Sequence, residues 1–152
     1  MDRRALIKSL TAAGALALLP VDAFAAWERV AAGVGELTPE QLEHIGAIAD
    51  AILPRTSSPS ATDVGVPAFV NVIVSENYTD SERSAFVANL DSIDPRGLDA
   101  LESWGDRRAE PARTYWRLKG LIIHGYFTSE RVMKDVLHYE VMPGKFDGNA
   151  HV

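Results

Sequence analysis

Apolar residues return every three or four positions along most of this chain, and the breaks between the runs carry helix-boundary chemistry. Leu42, Ile45, Ile48, Ala49 and Ile52 form one such stripe. Thr38 precedes it as an N-cap, Pro39 takes the first helical position, Gln41 completes a capping box, and Pro54 stops the run after Leu53. Residues 66–74 are nearly all apolar, and their Val and Ile content suits a strand. Pro67 at the start and the capping box Thr79-Asp80-Ser81-Glu82 directly after instead predict a short buried helix. The helix launched by that box carries Phe86 and Leu90.

Asp94-Pro95-Arg96-Gly97 reads as a turn, and Leu98, Leu101 and Trp104 follow at three-residue steps on a short helix ended by Gly105. A longer helix from Pro111 carries Tyr115, Leu118, Leu121 or Ile122, and Tyr126 or Phe127. Gly120 in it suggests close approach of another backbone, and Gly125 a weak end. Thr128 or Ser129 caps the last helix, with Val132, Val136 and Leu137 expected inward, and Pro143-Gly144 turns into the tail. The expected fold is all-α: a small irregular bundle of five to six helices, residues 38–152, preceded by an extended arm over residues 26–37. Residues 54–66, rich in Ser, Thr, Pro and Gly, form a surface loop.

Residues 1–25 have a different logic. A basic start, an apolar run of about ten residues from Leu10 to Leu19, and Ala23 and Ala25 framing Phe24 describe an export signal cut after Ala25. Crossing a bilayer takes roughly 20 apolar residues, so a retained anchor is not expected. Arg3 and Arg4, followed by two apolar residues and Lys8, are similar to a twin-arginine signal, which carries folded cargo. An ordinary signal for unfolded chains is the alternative.

Composition narrows the chemistry. The chain of 152 residues has no cysteine, which removes disulfides, thiolate metal sites, iron–sulfur clusters and cysteine nucleophiles. Its net charge is −6, and −7 once the leader goes with Arg3, Arg4, Lys8, Asp2 and Asp22. An acidic domain without a basic stripe repels a phosphate backbone. His44, His124, His138 and His151 include no pair at helical i, i+3 or i, i+4 spacing, so no metal is expected. Neither G-x-S-x-G nor G-x-G-x-x-G occurs, so no serine-nucleophile elbow and no bound FAD are expected in this chain. Glu40 with Glu43, and Asp91 with Asp94, read as solvated charge. The aromatics Trp104, Tyr115, Trp116, Tyr126, Phe127, Tyr139 and Phe146 crowd the last third; packing explains most of them, and interface use explains the remainder.

Two short runs, Leu37-Thr38-Pro39-Glu40 and Gly65-Val66-Pro67-Ala68-Phe69, combine with the run from Gly125 through Tyr126, Phe127, Thr128 and Ser129 to Glu130, with Leu137-His138-Tyr139, and with Pro143-Gly144-Lys145-Phe146-Asp147-Gly148. In that order they resemble the gluconate 2-dehydrogenase subunit 3 family. His138 stands where an arginine is expected, and Phe146 where a tyrosine is common. The resemblance implies a non-catalytic small subunit of a periplasmic dehydrogenase oxidising a sugar, glycoside or sugar acid. FAD would lie in a large partner of the glucose-methanol-choline oxidoreductase type, and haem in a c-type cytochrome partner. Tyr126, Phe127, Tyr139, Pro143 and Phe146 are the candidate partner contacts. Two readings of other classes stand beside it: an independent small periplasmic enzyme using carboxylates of the 54–66 loop, and a ligand-binding helical domain.

Overall fold

A computed structural model describes residues 23–103 and 109–139. Among them are six α-helices and no strand: α1 Ala23–Ala31, α2 Pro39–Ile52, α3 Val66–Asn77, α4 Asp80–Leu90, α5 Leu98–Ser103 and α6 Ala112–Thr128. A 3₁₀ turn, Thr62–Val64, precedes α3, and a π-helical turn, Val132–Val136, follows α6. The all-α bundle expected from the pattern is the observed one. No helix among the described residues is long and apolar enough to cross a membrane.

Helix α3 is the axis of the bundle. Val66, Phe69, Val70, Val72, Ile73 and Val74 are all buried, because α1, α2 and α6 pack around it. That explains an apolar run too continuous for a surface helix: the helix has core on nearly every side. Complete burial of each such side chain contributes about 1.5–3 kcal/mol. Both capping boxes are formed. Gln41 N–H donates to Thr38 Oγ1 while Thr38 N–H donates to Gln41 Oε1, and Thr79 and Glu82 do the same for α4. At 94–97 the turn closes with Gly97 N–H on the Asp94 carbonyl.

Two polar links hold the periphery. Tyr115 is fully buried in α6, and its hydroxyl donates to Glu102 Oε1 of α5 at 2.6 Å. Lys119 pairs with the same carboxylate. Desolvation, reinforced by Glu102, raises the phenol pKa well above its ordinary value, while hydrogen bonds from Lys119 and Tyr115 lower that of Glu102. In the 54–66 loop, Asp50 accepts from the Thr62 amide and hydroxyl at 2.9 and 2.6 Å, and Asp63 accepts from Ser60 N–H at 2.8 Å and pairs with Arg55.

The extended arm expected over 26–37 is corrected. Its first part is helix α1, with Ala26 1% exposed and Trp27 and Val30 packed on the core. The remainder is bound to α3: Glu36 N–H donates to Ser75 Oγ at 2.8 Å and Leu37 N–H to Asn71 Oδ1 at 2.9 Å, and Leu37 is buried. Gly33 and Gly35 have positive φ, and at Gly35 a Cβ would lie 2.1 Å from the Asn71 side chain. Helix α1 does present an apolar face, with Ala26, Trp27 and Val30, but it straddles the expected leader boundary at Ala25, which divides its pattern between two segments.

The two α6 glycines exchange their expected roles. Nothing lies within 4 Å of a Cβ built on Gly120, whereas one on Gly125 would be 2.7 Å from Phe69 Cδ1. Gly125 is the close-approach position, and α6 continues past it to Thr128. The inward orientation expected for Val136 and Leu137 is also corrected: they are 39% and 48% exposed, and only Val132 of that set is buried. Val136 and Leu137 stand at the C-terminal end of the π-turn, beyond the buried Val132. Trp104 and Gly105 lie outside the described residues.

Candidate docking site

The end of α6 and the turn after it form a polar-pinned corner. Thr128 Oγ1 donates to the His124 carbonyl at 2.8 Å and accepts from Trp27 Nε1 at 3.1 Å. Ser129 is buried; its hydroxyl donates to the Tyr126 carbonyl at 2.7 Å and accepts from Val132 N–H at 3.4 Å. This satisfies backbone groups at the helix boundary, the capping role expected of these residues.

Of the candidate partner contacts, Tyr126 is withdrawn from free surface. It is 5% exposed, and its hydroxyl donates to the Pro59 carbonyl at 2.8 Å, tying α6 to the 54–66 loop. Phe127 points the other way at 45% exposure, with its ring edge-on to Tyr126 at 5.3 Å. Tyr139 is 55% exposed. Pro143 and Phe146, like Arg3, Arg4, Lys8 and His151, lie outside the described residues; Ala23 and Ala25 fall within α1. Among the described residues the exposed large apolar side chains are Val34, Ile123, Phe127, Val136, Leu137 and Tyr139, five of the six on the α6 end and the turn beyond. Exposed apolar residues concentrated on one stretch of chain are what a contact surface would use.

Beside it an open groove of about 900 Å³ runs between α1 and the π-turn, lined by Trp27, Ala31, Val64, Thr128, Met133 and Tyr139 among others. Much of its charged rim is paired, Lys134 with Glu130, Arg131 with Asp135 at 3.9 Å, and Arg55 with Asp63, while Glu28 adds a further carboxylate. The groove is mainly an apolar trough with an acidic-leaning rim.

Of the groups that could support chemistry, two histidines and a loop carboxylate are bound to backbone. His44 Nε2 donates to the Leu90 carbonyl at 3.1 Å and His138 Nδ1 to the Lys134 carbonyl at 3.2 Å. His124 Nε2 is buried without a hydrogen-bond partner, and desolvation lowers its pKa. Among the described residues no three His, Asp or Glu side chains converge as a metal site would require. The Ser60 N–H foremost lowers the Asp63 pKa, so this loop carboxylate is ionised and bound to its own backbone. Sequence reasoning missed Trp27 and Asn71 as anchors. Asn71 had a signal, being a lone amide inside an apolar run.

In this small helical domain the described polar groups mainly cap helices and tie loops to them. Residues 39–103 match the family model described as gluconate 2-dehydrogenase subunit 3, the family that the sequence resembles. The match begins at the first residue of α2 and ends at the last of α5, so it contains the Gly65–Phe69 run but not the α6 end. No curated protein and no solved structure matches the chain. The family, by its description, is one of dehydrogenase subunits, which is consistent with a small subunit of a dehydrogenase complex.

Proposed function

We propose that this chain is the non-catalytic small subunit of a periplasmic, FAD-dependent dehydrogenase that oxidises a sugar, glycoside or sugar acid. The family match over residues 39–103 carries the reading. FAD and the substrate site belong to a large partner of the glucose-methanol-choline type, and a c-type cytochrome accepts the electrons. The domain packs on the folded flavoprotein through the Phe127 and Tyr139 corner and supports its active form. Arg3 and Arg4 address the pair to the twin-arginine route, so a flavoprotein without its own signal crosses as a passenger. The exposed apolar corner and the internal use of Asp50 and Asp63 favour docking over chemistry in the 54–66 loop.

A tagged chain recovered from its native periplasm should bring with it flavin absorbance and sugar-dependent dye reduction. A colourless chain at native expression would refute the subunit reading. Replacing Arg3 and Arg4 by lysine should hold both proteins in the cytoplasm; a flavoprotein that still reached the periplasm would end the passenger idea alone.

A further inference from the structure

We infer that α1 is a strap that shields the leader-cleavage bond, so that processing of the folded chain waits on release of this helix. The inference rests on reading residues 1–25 as an export leader. The bond in question, Ala25–Ala26, lies inside α1, Ala23–Ala31, with Ala25 half-buried and Ala26 1% exposed. A peptidase holds its substrate extended so that the scissile carbonyl and flanking amides reach its own groups. In α1 the Ala25 carbonyl lies within the helix, where it faces the amide one turn on, the backbone is not extended, and Ala26 faces the core.

The strap is held along its length. Trp27 stacks on Phe69 with ring centroids 5.1 Å apart, lies against Gly65, and donates its indole N–H to Thr128 Oγ1 at 3.1 Å. Arg29 pairs with Glu76 of α3 at 3.1 Å. Beyond the helix, Glu36 and Leu37 are fixed to Ser75 and Asn71, so lifting α1 means undoing contacts with both α3 and α6. When opening and closing are fast relative to cutting, cleavage tracks the population of the open form. Hydrolysis would add water across the Ala25–Ala26 amide, leaving a carboxylate on Ala25 and an amine on Ala26. Docking of α1 keeps that bond out of reach, and the folded domain carries its leader until the strap lifts.

The test uses the full 152-residue chain, with a peptide of residues 1–36 as the unpacked control. Each is treated with purified signal peptidase in detergent micelles and, separately, with an elastase-type protease that cuts after small residues. Intact mass reports cleavage at Ala25–Ala26. The full chain should be cut at least tenfold more slowly than the peptide by both proteases. Trp27→Ala should restore much of the peptide's rate. Thr128→Val, which keeps the side-chain shape and removes the acceptor of the indole N–H, should accelerate cutting in a chain whose helical circular dichroism is unchanged. Full chain and peptide cut at equal rates, or variants cut no faster than wild type, would overturn the strap. If signal peptidase cuts neither species, the leader reading fails, and the elastase arm still decides whether α1 protects the bond.

Discussion

Gly125 is a packing decision made at one atom. A Cβ there would meet Phe69 Cδ1 at 2.7 Å, and the Phe69 ring is itself closed in by Trp27 at 5.1 Å and His124 at 6.1 Å. With no free direction for the ring, Gly125→Ala should destabilise by about 1–3 kcal/mol, the usual cost of overfilling a core. Gly120→Ala, on open surface of the same helix, should stabilise by up to about 1 kcal/mol through helix propensity. Urea melts of the two variants should move in opposite directions. The sequence shows two glycines in one helical run and cannot rank them, because their roles depend on which face meets α3.

His124 is the second residue whose behaviour follows from position. Its Nε2 is buried without a partner, so the neutral ring is favoured and its folded pKa lies below the ordinary value of 6.5. The unfolded chain then binds the proton more readily, and the stability held above about pH 6.5 is lost as pH falls through the depressed folded value. Urea midpoints at pH 7.5 and pH 5 should therefore differ by more in wild type than in His124→Gln. Equal differences would show that His124 does not carry the acid sensitivity.

At the scale of elements, legibility divides by how local the determining interaction is. The starts of α2 and α4 were legible because each capping box spans four consecutive residues, and both are formed. Thr38→Ala or Thr79→Ala should each cost about 1 kcal/mol, read from thermal or urea melts. Helix α1 and the segment after it were not legible, since what orders them is distant in sequence: Phe69 and Thr128 for Trp27, Asn71 for Leu37. Val136 and Leu137 were also misassigned: they end the π-turn exposed, and apolar type alone does not tell an inward position from an exposed one. The candidate site was legible in part. An aromatic cluster near the α6 end was visible, but which of two adjacent rings faces solvent depended on the Tyr126–Pro59 hydrogen bond.

For the whole molecule, that division between Tyr126 and Phe127 separates a ring tied into the core from one facing solvent. The family segment, residues 39–103, builds α2 to α5, while the exposed apolar corner lies on α6 and the turn after it. Helix α6 carries both core and corner, but on different faces, Tyr126 inward and Phe127 outward, so one should be changeable without the other. Phe127→Ser with Tyr139→Ser removes two exposed rings that make no hydrogen bond the core depends on, so the melting temperature should hold. Aromatic anchors at interface centres commonly cost more than 1 kcal/mol each on truncation. Their joint loss should weaken binding of the flavoprotein at least tenfold, read by titration or by flavin recovered with the tagged chain. Tyr126→Phe gives the converse pattern: losing the bond to the Pro59 carbonyl should lower stability by about 0.5–1.5 kcal/mol and leave affinity near wild type wherever the chain is folded. A double variant that is stable and still recovers wild-type flavin would move the docking surface away from this corner, with the groove between α1 and the π-turn the next surface to alter.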